Sequence, residues 1–327
     1  MPLFNNAEHL PEAIESILLQ TERAFAVVMV DDLSTDETET VACRYAAIDG
    51  RIRYERNERR LGMIENWRRA FERARELYPE SEYFAWVSDH DIWHPRWLAA
   101  LLRELDADPE VVAAYPMRER IEPGRKSKPA WRFATPPAAG PASRLAATVR
   151  GMAAGDMVYA LFRAPALERA GVFKPVLLPD RLLLAELAVL GHMRQIPERL
   201  WYRRVTGKPS LERQRLAFFP DGAPRYSRLP WVVQHVAAFT WAFVVRGSGR
   251  PKISRWRGAL LALHHFQLSL RFDLRRRYQR RRNRVLRRTQ RLVAAIAIRK
   301  RINKMLVAIA RAAGRAPVPM ESPRSPE

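Results

Sequence analysis

Two carboxylates one residue apart, Asp89 and Asp91 in the run Ser88-Asp89-His90-Asp91, are the side chains best spaced to do chemistry. Hard oxygen ligands of this kind suit Mg²⁺ or Mn²⁺, and a cation held by them can also hold a diphosphate. His90 stands between them as a further possible ligand, although it is expected to point elsewhere. A second acidic pair, Asp31-Asp32, ends the uncharged run Phe25-Ala26-Val27-Val28-Met29-Val30. A carboxylate at such a position can accept from a nucleobase N–H or a ribose hydroxyl. Each signal is ambiguous alone, because Asp pairs also solvate loops and cap helices.

The elements that must position these residues alternate. Leu10, Ile14, Ile17 and Leu18 mark an amphipathic helix within residues 7–20. Phe25 to Val30 reads as a buried parallel strand. Ser34-Thr35-Asp36-Glu37 has the spacing of a capping box, with a helix from about Glu37 to Ala47. A short strand over Arg51–Glu55 is followed by a helix marked by Ile64, Trp67, Phe71, Ala74 and Tyr78. Tyr83–Val87 is the strand that delivers the Asp-His-Asp run. A helix opens at Pro95, and Val111–Tyr115 is the next strand. Residues 122–143, rich in Pro and Ala, read as an irregular excursion. Order is expected again at 155–163, in a helix from about Arg181 to Leu190, and in a closing strand from Arg194 to Tyr202. The alternation predicts an α/β, mostly parallel doubly wound sheet.

At 327 residues and 47% apolar content the chain is long enough for one large domain and an appendage. Its single cysteine, Cys43, excludes an internal disulfide framework and suits a reducing compartment. Met1-Pro2-Leu3-Phe4-Asn5-Asn6 lacks the basic and apolar regions of a secretory signal. The longest apolar run, residues 231–245, falls short of the roughly 20 residues that span a bilayer. The net charge of +22 is concentrated, since residues 246–315 hold 22 Lys or Arg against the single acid Asp273.

As an ordered series, several stretches resemble the inverting family 2 glycosyltransferases of the GT-A fold. They are Pro2-Leu3-Phe4-Asn5-Asn6, Ser16-Ile17-Leu18-Leu19-Gln20-Thr21, Val30-Asp31-Asp32-Leu33-Ser34-Thr35-Asp36, Asn57 with Gly62 and Asn66, Ser88-Asp89-His90-Asp91, and the run from Leu178 to Leu187. The resemblance covers roughly residues 1–204. It implies a Rossmann-like GT-A catalytic domain over 1–204, and a nucleotide-sugar donor, UDP-linked as first choice, bound by Pro2, Phe4, Asn5, Asp31, Asp32, Asn66 and Asp89. It also implies a divalent metal, Mg²⁺ or Mn²⁺, on Asp89 and Asp91. Such a cation stabilises the charge that builds on a departing diphosphate. Members of the family carry an apolar strand immediately before the Pro2-Leu3-Phe4-Asn5 equivalent. Met1 stands in its place here, so the sheet is expected to lack much of its first strand, or the recorded start lies too far downstream.

Inverting transfer also needs a base for the acceptor hydroxyl. The resemblance points to Asp180, although Pro179-Asp180-Arg181 departs from the Glu-Asp pair of many members; Glu186 and Asp156 are alternatives, and Asp180 also suits a helix N-cap. Arg59 and Arg60 are candidate phosphate partners or simply solvated. Ser34 and Asp36 are read as capping residues.

Residues 205–327 are expected to form a basic, amphipathic helical region whose last ~12 residues are disordered. Its candidate helices are 231–245, 254–271 and 274–313. Arg275-Arg276-Arg277 and Arg280-Arg281-Arg282 alternate with Leu274, Tyr278, Val285 and Leu286. That pattern suits an anionic membrane surface, with nucleic acid the weaker reading of the same charge. The expectation is a cytoplasmic transferase, peripheral at the inner face of the cell membrane, acting on a glycan or lipid-linked acceptor. The alternative is a non-catalytic membrane-surface or nucleic-acid-binding protein on a decayed transferase fold. A nucleotidyltransferase would want a Gly-rich phosphate loop near the N-terminus, which is not present.

Overall fold

The computed structural model describes residues 1–121, 132–136, 138–204 and 211–312. The chain opens with β1 (Pro2–Leu3), α1 (Leu10–Leu18), β2 (Val27–Asp31), α2 (Thr38–Ile48), β3 (Ile52–Arg56) and α3 (Met63–Leu77). The three strands form a wholly parallel sheet in the order β1-β2-β3, with Pro2 opposite Val30 and Val27 opposite Ile52. All five residues of β2 are buried: Val27–Val30 are apolar, as a strand covered on both faces requires, and Asp31 is buried on its hydrogen-bond partners. Leu10, Ile14 and Ile17 of α1 and Ile64 and Phe71 of α3 pack into the same core.

Next come β4 (Tyr83–Ala85), β5 (Ile92–Trp93), α4 (Trp97–Asp106), β6 (Val111–Ile121), α5 (Pro141–Gly151), α6 (Ala154–Met157), β7 (Leu161–Arg163), α7 (Ala164–Ala170), α8 (Pro179–Leu190) and β8 (His192–Arg204). The second sheet runs β4-β7-β6-β8-β5, and only its β6–β8 pairing is parallel. It is a mixed sheet beside a parallel one. β1 pairs with β2 over two residues. An apolar cavity of ≈ 430 Å³ opens between Val27 and Val28 on one side and Tyr83, Phe84 and Ala85 on the other. The Met1 ammonium is buried there, donates to the Val28 carbonyl at 2.7 Å, and is lowered by desolvation to about 5.

Four elements differ from the sequence expectation. α5 replaces the end of the irregular excursion, with Pro141 in its first turn and Leu145 and Val149 buried. Residues 122–131 and 137 of that excursion lie outside the described residues. β6 and β8 extend to 11 and 13 residues, because each supplies a backbone ladder for the other well past the apolar core. Beyond α9 (Leu211–Phe218) and α10 (Trp231–Thr240), the two basic helices expected at 254–271 and 274–313 are one, α11 (Arg255–Ala312).

By compactness the chain divides into Met1–Leu270 and Arg271–Glu327, so residues up to Leu270 share a compact unit with 1–204. Phe218, Phe239, Phe243, Leu261 and Leu268 are buried in the main core, and that burial carries α9, α10 and the first turns of α11 into it. In the second unit, Leu274, Tyr278, Val285 and Leu286 are exposed along α11. No described helix is long and apolar enough to cross a membrane. The expected disorder of the last ~12 residues falls outside the described part of the chain.

Candidate active site

The ends of β1 and β2, the start of α3, the loop after β4, α6, and the far halves of β6 and β8 enclose a cavity of ≈ 710 Å³. Asp32, Phe4 and Arg60 line one part of it; Ser88, Asp89 and His90 another; Arg118, Arg120, Asp156 and Arg203 a third. Ligands collect in such places, where strands end and the chain changes direction.

Asp32 is 2% exposed and organises the loop before α3. Its Oδ1 accepts from the Leu61 N–H at 2.6 Å and its Oδ2 from the Gly62 N–H at 2.9 Å. Asn57 Nδ2 donates to Oδ1 at 3.3 Å, and Arg60 Nε lies 3.9 Å from Oδ2. Burial nevertheless raises its proton affinity, because desolvation outweighs those donors. Gly62 sits at φ 83°, and a Cβ there would meet Pro220 Cδ at 2.7 Å and the Phe218 carbonyl at 2.8 Å, so only glycine fits. The loop thereby places Arg60 over the Phe4 ring, 3.8 Å from guanidinium carbon to centroid, at the cavity wall.

The remaining donor candidates divide. Pro2 and Asn66 line the cavity. Asn66 also bridges strands, donating Nδ2 to the Val30 carbonyl at 3.0 Å and accepting from Asn57 at 2.9 Å. Asp31 is fully buried away from the cavity lining, with Ser34 Oγ at 2.5 Å and Tyr54 Oη at 3.0 Å on its oxygens. Asn5, at φ 47°, braces the neighbouring turn: its N–H donates to Ser34 Oγ at 2.9 Å and its Oδ1 accepts from the Thr35 N–H at 2.8 Å. Asp31 and Asn5 therefore shape the pocket from behind. Arg59 pairs with Asp221 at 2.9 Å on the surface.

The two carboxylates expected to share a metal have different surroundings. Asp89 lines the cavity, its Oδ2 accepting a long 3.4 Å bond from the Phe4 N–H and its Oδ1 lying 2.7 Å from His90 Nδ1. Asp91 is 1% exposed and does not line the cavity. Its Oδ2 accepts from Trp201 Nε1 at 3.0 Å and its Oδ1 from the Arg204 N–H at 2.9 Å. Desolvation raises its proton affinity, partly offset by His90 and those donors. His90, expected to point elsewhere, faces the cavity. Burial disfavours its charge, but the Asp89 hydrogen bond and the charges of Asp89 and Asp91 outweigh that and hold the imidazole above its ordinary range. Of the Asp-His-Asp run, the side chains that line the cavity are thus one carboxylate and one imidazole. Among the described residues no three such ligands come together, so a divalent cation here would need diphosphate oxygens and water for most of its shell.

Asp180 lies in the first turn of α8, after Leu178 at φ 56°, and its Oδ1 accepts from the Arg181 N–H at 2.9 Å. It is partly exposed but is not in the cavity lining. Burial raises its proton affinity, and the charge of Arg203 reaches it. Glu186 is fully buried in α8 and paired with Lys174, inside the core. Asp156 does line the cavity, with Arg118 Nε at 2.6 Å on Oδ2 and Arg203 Nη1 at 2.6 Å on Oδ1. Sequence reading missed Arg118, Arg120, Arg203 and Tyr159. They belong to no local motif; the arginines meet because β6 and β8 pair in parallel, with Arg120 opposite Arg203, and Tyr159 comes from the turn after α6.

A parallel sheet joined to a mixed one, with acidic residues at the strand exits lining one cleft, defines a GT-A-type nucleotide-sugar fold. The sequence profile of Glycosyl transferase family 2 matches residues 1–169, and the chain belongs to that family. Among curated relatives, an uncharacterized glycosyltransferase of Rickettsia typhi is 30% identical over 95 residues, 29% of this chain and 27% of that protein. A putative teichuronic acid biosynthesis glycosyltransferase of Bacillus subtilis, TuaG, is 29% identical over 92 residues, 28% of this chain and 34% of TuaG. The match therefore spans about a quarter to a third of these relatives' own lengths. The crystal structure of S. aureus TarS shares the fold at TM-score 0.51 and 14% identity, covering 82% of this chain and 53% of TarS. TarS 1–349 in complex with UDP aligns at TM-score 0.50 and 14% identity, covering 84% of this chain and 90% of that one.

Proposed function

We propose that the chain moves a sugar from a nucleotide-diphosphate sugar, UDP-linked as first choice, to an acceptor hydroxyl with inversion at the anomeric carbon. The observation that carries this reading is the single cleft in which Phe4, Arg60 and Asp32 stand at one part and Asp89 with His90 at another. Phe4 and Arg60 offer a stacking face for a base, and Asp32 an acceptor for its N–H. Asp89, oriented by His90 at 2.7 Å, would hold Mg²⁺ or Mn²⁺, which supplies Lewis-acid stabilisation to a departing diphosphate.

The base is assigned to Asp180. Its raised proton affinity suits proton capture, and its neighbourhood reaches the cleft through Arg203. Asp156, the alternative in the cavity, spends both oxygens on guanidiniums. The acceptor is a glycan or lipid-linked hydroxyl at an anionic membrane surface. The exposed apolar residues among the arginines of α11 support that placement. Calorimetric titration of UDP with and without Mn²⁺ tests the reading. Micromolar, Mn²⁺-dependent binding that Asp89→Ala weakens at least tenfold is expected. A folded protein that binds neither UDP, GDP nor TDP would refute it.

A further inference from the structure

We propose that Arg118 and Arg203, with Arg120 beside them, form a subsite for an anionic group on the acceptor, a phosphate or carboxylate near the attacking hydroxyl. The proposal rests on the transferase reading and names a substrate class that reading leaves open.

Arg118 and Arg203 project from neighbouring parallel strands onto one carboxylate, that of Asp156 in α6. Two guanidinium charges thus meet a single carboxylate at the wall of a solvent-filled cleft. The pair is fixed in place as well as charged: Arg203 Nη1 also donates to the Gly155 carbonyl at 2.9 Å, and its guanidinium carbon lies 5.3 Å from the centre of the Trp201 ring. Arg118 commits only Nε to Asp156, and neither its terminal nitrogens nor Nε and Nη2 of Arg203 bond a described residue. A guanidinium presents five donors in a planar fork that matches a phosphate or carboxylate edge, so the uncommitted edges form a ready anion receptor.

The donor does not account for that charge. In the transferase reading its diphosphate is met at Asp89 and His90 by a divalent cation. The arginines come from other elements, β6 and β8, beside the small residues Ala153, Ala154 and Gly155, which leave room at the wall. The charge of Arg203 reaches Asp180, the assigned base, as well as His90 and Asp91. Asp156 keeps the arginines apart and oriented without neutralising both. A neutral glycan acceptor would leave their excess positive charge unmatched in the cleft, whereas a phosphate- or uronate-bearing acceptor would match it.

The test uses the full chain, Arg118→Gln, Arg203→Gln and the double variant, with circular dichroism and thermal melts to confirm folding. UDP with Mn²⁺ is titrated into each by calorimetry. Glycerol 3-phosphate, glucuronate and neutral glycerol are then screened by saturation-transfer NMR on the UDP-loaded proteins. The expected result is UDP affinity within about threefold of wild type in every variant, binding of one or both anions but not glycerol to wild type, and at least tenfold weaker anion binding in the double variant. Salt should weaken the anion signal. A tenfold or greater loss of UDP affinity in the folded double variant would assign the arginines to the donor diphosphate and overturn the proposal. Normal UDP binding with no anion binding to wild type would overturn it alone. Failure of wild type to bind any nucleotide would remove the transferase reading instead, and the acceptor subsite with it.

Discussion

Substituting Asp89 and Asp91 in turn separates two roles that one residue of spacing conceals. Asp91 is 1% exposed and accepts from the Trp201 indole at 3.0 Å and the Arg204 amide at 2.9 Å. In Asp91→Ala both donors lose their acceptor inside the protein, at about 1–3 kcal/mol each. Some of that returns, because a carboxylate whose ionisation is disfavoured by burial is no longer kept there. A net loss of roughly 2–4 kcal/mol follows, a fall in melting temperature of roughly 4–8 °C for a unit of this size. Asp91→Asn keeps the shape and one acceptor oxygen, and should cost about half as much.

Asp89 has less to lose structurally. It lines the cavity, its backbone contact from Phe4 is 3.4 Å long, and its other oxygen lies 2.7 Å from His90 Nδ1. Asp89→Ala should therefore cost about 1–2 kcal/mol, less than Asp91→Ala. Its Mn²⁺-dependent affinity for UDP should fall by at least tenfold, the equivalent of about 1.4 kcal/mol. Urea or thermal denaturation and calorimetry measure both quantities on the same preparations. An Asp91→Ala protein that melts like wild type while losing Mn²⁺-dependent UDP binding would refute the division of roles drawn from the hydrogen bonds.

Two other outcomes follow from the fold. His235 and His265 stack in the core at 6.1 Å and are lowered by desolvation to about 4 and about 3. The unfolded chain takes up their protons below about pH 6.5 while the folded one does not, so stability should fall with pH from about 6.5 down towards those values, by up to about 1.4 kcal/mol per pH unit for each histidine. Chemical denaturation at pH 7.5, 6 and 5 checks this, and a His265→Gln variant with an unchanged slope would contradict it. The full chain should also sediment with phosphatidylserine vesicles but not with phosphatidylcholine vesicles, and should release as salt rises, at roughly 1 kcal/mol per basic residue near the surface. Equal binding to both lipids would remove charge from the account.

The strands and helices of the first sheet were legible because β2 is continuously apolar and α1 and α3 carry clear one-faced patterns. α8 was legible only in outline, since ten of its residues, Glu186 among them, are buried and no polar stripe marks a surface. The donor loop showed Asp32 and Gly62 but not their mutual hydrogen bond, which joins residues 30 apart in sequence. The arginine wall left no local trace. Arg118, Asp156 and Arg203 become neighbours only through the pairing of β6 with β8 and the docking of α6, and neither is a periodicity that a single sequence displays.

Asp91 also explains how the cation loop and the arginine wall are held in register. Its carboxylate grips β8 at the Trp201 side chain and at the Arg204 amide, the two residues flanking Tyr202-Arg203. Trp201 is further clamped by Trp93 of β5, stacked at 5.6 Å, and by Tyr159 at 4.9 Å. Side chains alternate along a strand, so fixing Trp201 fixes Arg203, two residues on and on the same face. The cation–π contact at 5.3 Å ties the two directly. A buried carboxylate beside the cavity thus ties the Asp89-His90 loop to β8, the strand that carries Arg203. Loss of Asp91 should accordingly weaken anion and nucleotide binding together, whereas loss of Asp89 weakens the nucleotide and leaves the anion site intact.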